Sequence, residues 1–224
     1  MTAFVVANLS TREVGRRWAA LLLVAGLPLW FYLVRRDLAG QSTRMLTLGI
    51  GWAVSTLTLF VVNASRSVDP RLRLAGASVV SIIGGRLIAM TGVGLALVVG
   101  YWMLVGFDQD VLHLWAAGLM MLLTALVAAP LGSLIGALLP RELEGALALL
   151  SVCAVQMLAD PAGTIAKVMP FWSAREVGTY AIDGGSLEMV WHGLAHAGVV
   201  WLLGTAGTLA IFQWRLRIAR YPEP

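Results

Sequence analysis

Met189 to Trp214 reads MVWHGLAHAGVVWLLGTAGTLAIFQW, a run with no Asp, Glu, Lys or Arg that stops at Arg215. About 20 predominantly apolar residues in a helix cross the roughly 30 Å of hydrocarbon in a bilayer. The stretch therefore predicts a transmembrane helix. Working back from it, five further runs meet the same criterion. They are Trp18 to Val34, closed by Arg35, Arg36 and Asp37; Met45 to Val62; Leu87 to Phe107, opened by Arg86; Leu114 to Leu139; and Leu143 to Ala159, ending at Asp160 and Pro161. Pro130 interrupts the fourth, where a missing N–H and a clash with the preceding turn predict a kink. The expected fold is all-α, a polytopic membrane protein with six transmembrane helices in one domain over residues 1–224. No internal repeat, low-complexity tract or linker divides it.

Composition excludes the soluble classes. Of 224 residues, 59% are hydrophobic and 12% charged, against about a quarter charged in ordinary soluble domains. Mean hydropathy is +0.82, and so little polar surface could not cover a globule in water. The net charge of +4 does not point to nucleic acid, because the basic residues are dispersed between apolar runs instead of gathered on a polar face. All but one of the 16 basic residues are Arg, the exception being Lys167, a usage that fits a high-GC bacterium. Cys153 is the single cysteine and lies in an apolar stretch, so neither an intrachain disulfide nor a cysteine metal site is available.

Six spans put both termini on one side. That side would hold Arg12, Arg16, Arg17, Arg66, Arg71, Arg73, Arg86, Arg141, Arg215, Arg217 and Arg220; the other would hold Arg35, Arg36, Arg44, Lys167 and Arg175. The excess of positive charge assigns both termini to the cytoplasm of a plasma membrane. The first run is longer than a signal-peptide core and meets arginines where a cleavage site would stand, so it is read as retained. Most tryptophans, including Trp30, Trp102, Trp115, Trp191 and Trp214, fall near span ends, where indole N–H groups stay wet.

The sequence carries no phosphate-binding Gly-rich loop with Lys and Ser or Thr, since Lys167 is followed by Val168. The spans also lack a mid-membrane carboxylate: every Asp and Glu is expected at a span end or in a loop, which disfavours an ion-driven carrier. A subunit driven by a separate partner fits both observations. Between spans two and three, Asp69 and Pro70 form a helix-start pair, with Asp69 able to cap and Pro70 at the first helical position. Ser67, Asp69, Pro70, Arg71 and Arg73 are the candidate partner-docking residues there; the alternative is a solvated basic loop. Ser10 and Glu13 have the spacing of a capping box before span one, with Arg12 and Arg16 one turn apart for a partner or for anionic headgroups. The long loop Asp160 to Glu188 contains Ile165, Val168, Met169, Phe171 and Trp172, which prefer burial, and is expected to form short helical pieces acting as a gate or a packed cap. Ala128, Gly132 and Gly136 are four apart and allow close approach of another helix. His192 and His196 share a face on the last span; they are candidate metal ligands or neutral hydrogen-bonding groups. No catalytic residues and no metal site are assigned.

The pattern resembles the permease subunits of ABC-2 type exporters. The resemblance rests on the amphipathic start, six spans and basic loop, together with Gly84 to Ala89 (GGRLIA), Leu138 to Glu144 (LLPRELE) and Met169 to Trp172 (MPFW). One departure is Leu158-Ala159-Asp160-Pro161, where many members carry a Gly-containing run before Pro. The resemblance implies a dimer of permeases, with a second copy or a homologous chain, clamped to separately encoded ATPase subunits that hold ATP and magnesium. No cofactor is implied in this chain. It further implies a coupling segment over Ser65 to Leu74 and an outer gate region that includes Asp160, Pro161, Met169, Pro170, Phe171 and Trp172. The implied function is export of an amphiphilic, drug-like or lipid-like substrate across the bacterial plasma membrane. The rivals are a six-span intramembrane enzyme or metal-dependent protein using His192 and His196, and a structural or regulatory membrane protein.

Overall fold

The computed structural model describes residues 3–16, 18–160 and 163–217, and every regular element among them is helical. The α-helices are α1 (Ala3–Arg16), α2 (Trp18–Val34), α3 (Ala39–Ala64), α4 (Asp69–Leu74), α5 (Val79–Asp108), α6 (Leu114–Leu138), α7 (Glu142–Leu158), α8 (Thr164–Val168), α9 (Trp172–Asp183) and α10 (Glu188–Arg215). A 3-10 turn at Ser65–Ser67 joins α3 to α4. Four segments are long and apolar enough to cross a membrane: Gly40–Ser67, Val79–Asp108, Leu114–Leu138 and Glu188–Arg215. They mark a membrane protein. Helices α2 and α7 also fall where spans were expected, but at 17 residues each they are shorter.

Contacts at the two ends fix the directions. Arg36, after α2, meets Asp108 at the end of α5; Arg66, after α3, meets the end of α6; Phe212, near the end of α10, lies against Arg86 near the start of α5. One end of the bundle therefore carries α4, and the other carries α9. Helix α3 is the central element, with 78% of its most apolar window buried, against 17% for α10. Its interior contains Thr47, Ser55, Thr56 and Thr58. The hydroxyls of Thr47, Ser55 and Thr58 donate 2.8 Å bonds to carbonyls one turn back, so these polar side chains enter an apolar core already satisfied.

The closest helix contact is between α3 and α6. A Cβ on Gly132 would lie 2.8 Å from the Cα of Ser55, and one on Gly136 would lie 3.1 Å from Val62. The small-residue stripe on α6 thus serves a helix of the same chain. Helix α6 continues through Pro130 to Leu138, and the proline ring packs on Gly204 of α10, where a Cβ would sit 3.0 Å away. Pro28 of α2 meets Gly49 of α3 in the same manner.

Three expectations are corrected. Helix α5 begins at Val79, not Leu87: Ser78 caps it by accepting from the Ser81 N–H at 3.0 Å, and Arg86 lies inside the helix, buried, instead of on the surface. Ser10 is no cap, because α1 starts at Ala3 and buries Ser10 within it. The earlier start is stabilised by packing of Val6 and Ala7 on Gly85 of α5, where a Cβ would come within 2.7 Å of Val6. Ile165 and Val168 are exposed, not buried, although the loop does form the expected helical pieces, α8 and α9.

Candidate functional site

At the α4 end the chain leaves α3 through the 3-10 turn, with Ser65 Oγ donating to the Val61 carbonyl at 2.7 Å. Arg66 donates Nε to Asn63 Oδ1 at 2.9 Å and Nη2 to the carbonyls of Gly136 and Ala137. It thereby satisfies the carbonyls left open at the end of α6. Helix α4 has Pro70 in its first turn, as expected. Just past its end stands Gly76, whose φ of 86° only glycine adopts freely. There Ala77 N–H donates to the Leu72 carbonyl and Gly76 N–H to the Arg73 carbonyl, which closes the helix.

Asp69 was expected to cap α4, and it makes no such bond. Its carboxylate instead pairs with Arg86 of α5, with Nη1 to Oδ2 at 3.2 Å and a second contact from Nη2 to Oδ1. Both side chains are 2% exposed. The Arg86 guanidinium also lies 5.9 Å from the centre of the Phe212 ring, and Arg215 lies 5.3 Å from it. A buried ion pair thus ties α4 to α5 beside the end of α10. Arg73 donates Nη1 to the Ala77 carbonyl at 2.8 Å and is half-buried. Ser67, Pro70 and Arg71 are exposed, as is Leu74 at 80%. These four recur at helical spacing and form one outward stripe with a single positive charge.

The α9 end has its own polar network. Asp108 accepts from Arg36 Nε at 3.0 and 3.1 Å and from the Tyr32 hydroxyl, and Gln109 Nε2 bridges the Arg36 carbonyl and Asp108 at 3.3 and 3.2 Å. Hydrogen bonding to Asp108 raises the Arg36 pKa. Arg44 pairs with Asp183. Two of the three arginines around the α2–α3 connection are therefore paired with carboxylates. His113 stacks on Tyr180 with centroids 4.5 Å apart, fastening α9 to the start of α6.

The expected gate residues separate. Phe171 is 2% exposed; Met169 and Pro170 are half-buried between α8 and α9; Trp172 is half-buried, edge-on to His196 at 5.1 Å. Asp160 is exposed beyond α7, and Pro161 lies outside the described residues. His192 is half exposed, with Glu188 at 3.7 Å and Glu176 at 4.0 Å, whereas Nδ1 of His196 is buried without a partner. Among the described residues, no group of three or more His, Cys, Asp or Glu is placed to hold a metal ion.

Beneath Phe171 lies a cavity of about 460 Å³ between α3, α6, α7 and α9. Met45, Leu48, Met120, Met157 and Phe171 form its apolar wall, and Arg44, Thr47, Thr124, Gln156, Arg175 and Asp183 are its polar lining. The volume is within the range of small-molecule sites. Sequence reading missed it, because its residues come from four separated helices. One signal was present: Gln156 is the only amide in the run from Leu143 to Ala159, where Glu144 and Ser151 are the only other polar side chains. No protein-family model matches this chain, and no curated protein matches it.

Proposed function

We propose that this chain is the membrane-spanning permease subunit of an ATP-driven exporter of the ABC-2 type. In this reading α2, α3, α5, α6, α7 and α10 are six spans of a bacterial plasma-membrane protein with both termini in the cytoplasm. A second permease copy or homologous permease completes the pore, and a separate ATPase subunit supplies energy for moving an amphiphilic, drug-like or lipid-like substrate. The observation that carries the reading is α4. A helix of six residues would fray alone, yet Asp69 and Arg86 anchor it to α5, and it turns Ser67, Pro70, Arg71 and Leu74 outward. A surface element fixed to a span transmits a push; a solvated loop does not. The alternating helix directions support the same reading by placing α4 at the end that also holds Arg141, Arg215 and Arg217.

The test is co-purification with an ATPase subunit of that type, expressed together with this chain. Arg71→Glu combined with Leu74→Ala is expected to reduce recovery of the ATPase at least tenfold while membrane levels stay unchanged. Arg73 is left intact because its bond to Ala77 closes α4. Undiminished recovery, or ATP hydrolysis by the rigorously purified single chain, would overturn the proposal.

A further inference from the structure

The cavity under Phe171 has a division of character that selects a ligand. Its apolar side, Met45, Met120, Met157 and Phe171, is flexible and polarizable, suited to an alkyl chain. Of its charged lining, Arg44 is neutralised by Asp183, whereas no ion pair among the described residues engages Arg175. Two cations against one carboxylate leave a net positive charge on the lining. The neighbouring Glu176 belongs to a different face, 4.0 Å from His192. A third feature is Gln156, whose Oε1 is buried with no hydrogen-bond partner. A buried acceptor left open is costly, and the Gln156 side chain that carries it belongs to the cavity lining, so a small turn of the amide brings Oε1 to a bound ligand.

We propose that this cavity binds a single-chain anionic amphiphile carrying a hydrogen-bond donor next to its head group. The anion pairs with Arg175, the amide N–H or hydroxyl beside it donates to Gln156 Oε1, and the chain lies against Met45, Met120, Met157 and Phe171. Charge-assisted bonding to a guanidinium supplies the head-group preference. Satisfying Gln156 discriminates against chains that lack the donor, since an unmatched buried polar group penalises the wrong ligand. That this ligand is cargo rests on the exporter reading; that it binds does not.

The experiment uses the full chain in phosphatidylcholine nanodiscs without any ATPase. Binding of N-dodecanoylglycine is measured beside dodecanoate, which lacks the donor, dodecyltrimethylammonium, which reverses the charge, and lysophosphatidylglycerol, which brings the same chemistry from a membrane lipid. N-Dodecanoylglycine or lysophosphatidylglycerol is expected to bind at least tenfold tighter than the cation, and the stronger of the two identifies the source as soluble or lipidic. Arg175→Gln should weaken all three anions at least tenfold. Gln156→Leu should weaken N-dodecanoylglycine while leaving dodecanoate unchanged. Met157→Trp, at a half-exposed wall position that tolerates bulk, should abolish binding without loss of thermal stability. Equal binding of anion and cation, or unchanged affinity in Arg175→Gln, overturns the site. Equal effects of Gln156→Leu on N-dodecanoylglycine and dodecanoate overturn the role of Gln156. Binding as expected, with no stimulation of ATP hydrolysis in a reconstituted complex, overturns the cargo assignment alone.

Discussion

The ion pair between Asp69 and Arg86 makes a quantitative prediction, because both partners are 2% exposed and no water can replace a lost partner. Asp69→Leu leaves Arg86 buried as an uncompensated charge, and Arg86→Met does the same to Asp69. Breaking a buried pair in this way costs on the order of 3–5 kcal/mol. The two losses should be unequal. Arg215 shares the Phe212 ring with Arg86, and Asp69 is the carboxylate paired with Arg86 beside that ring. Asp69→Leu leaves two cations on the Phe212 ring with the paired carboxylate gone and belongs at the upper end of the range; Arg86→Met strands one carboxylate, leaves a single cation on that ring and belongs at the lower end. The double substitution removes both charges and should come within about 1 kcal/mol of the natural chain, since an apolar pair of similar volume is often neutral or stabilising in place of a buried ion pair. Reversible unfolding in mixed micelles, followed by loss of helical signal, gives all corners of the cycle. Losses below about 1 kcal/mol in both single variants, or a double variant as damaged as the sum of the two, would refute the reasoning.

Two further predictions concern the body of the bundle. Gly132→Ala should lower the melting temperature, because its methyl meets the Ser55 backbone and overpacking costs about 1–3 kcal/mol, whereas Gly92→Ala, with open space at its Cβ, should raise it through helix propensity worth roughly 1 kcal/mol. His192→Gln with His196→Gln should leave membrane levels, thermal stability and ATPase co-purification essentially unchanged; loss of bound metal together with activity would assign the pair a catalytic or metal role.

Hydropathy located the apolar helices because that property is local. The positions of α2, α6, α7 and α10 follow it within a residue or two. What it misplaced were features whose stabilisation comes from elsewhere in the chain. Arg86 reads as a span boundary, yet its partner is Asp69, 17 positions away, and that pairing lets α5 extend back to Val79. Ser10 reads as a cap, yet Gly85 offers α1 a seat that extends the helix to Ala3. Asp69 has the right type and place for a cap, but a guanidinium outcompetes a backbone N–H for its carboxylate. Ile165 and Val168 remain outward on α8, a helix of five residues that turns few side chains inward. At the α4 end, Ser67, Pro70 and Arg71 are exposed among the residues singled out from the segment, whereas Asp69 is buried and Arg73 half-buried because their partners, Arg86 and the Ala77 carbonyl, draw them inward. The cavity was not legible in the sequence, since α3, α6, α7 and α9 each contribute only a few positions and no periodicity links them.

The two ends of the molecule share a common backbone. Helix α3 supplies Met45, Thr47 and Leu48 to the cavity and, at its far end, continues into the turn that leads to α4. Helix α6 supplies Met120 and Thr124 to the cavity, and Arg66 holds the carbonyls at its other end. Between these ends Gly132 and Gly136 bring α6 against α3 so closely that a single methyl group would separate them. Close packing makes such a pair stiff: one helix cannot tilt against the other without opening a void or a clash. The remaining walls are held differently. Buried Gly145, Leu149 and Cys153 make up the inward face of α7, and Leu143, Leu147, Leu150, Val155 and Leu158 are exposed. A force applied at α4 in the proposed exporter would therefore reach the cavity through the rigid pair α3 and α6. For that reason Gly132→Ala bears on more than stability: if the chain works as the exporter subunit proposed above, loosening the pair should also uncouple the partner's ATP hydrolysis from ligand release in a reconstituted complex.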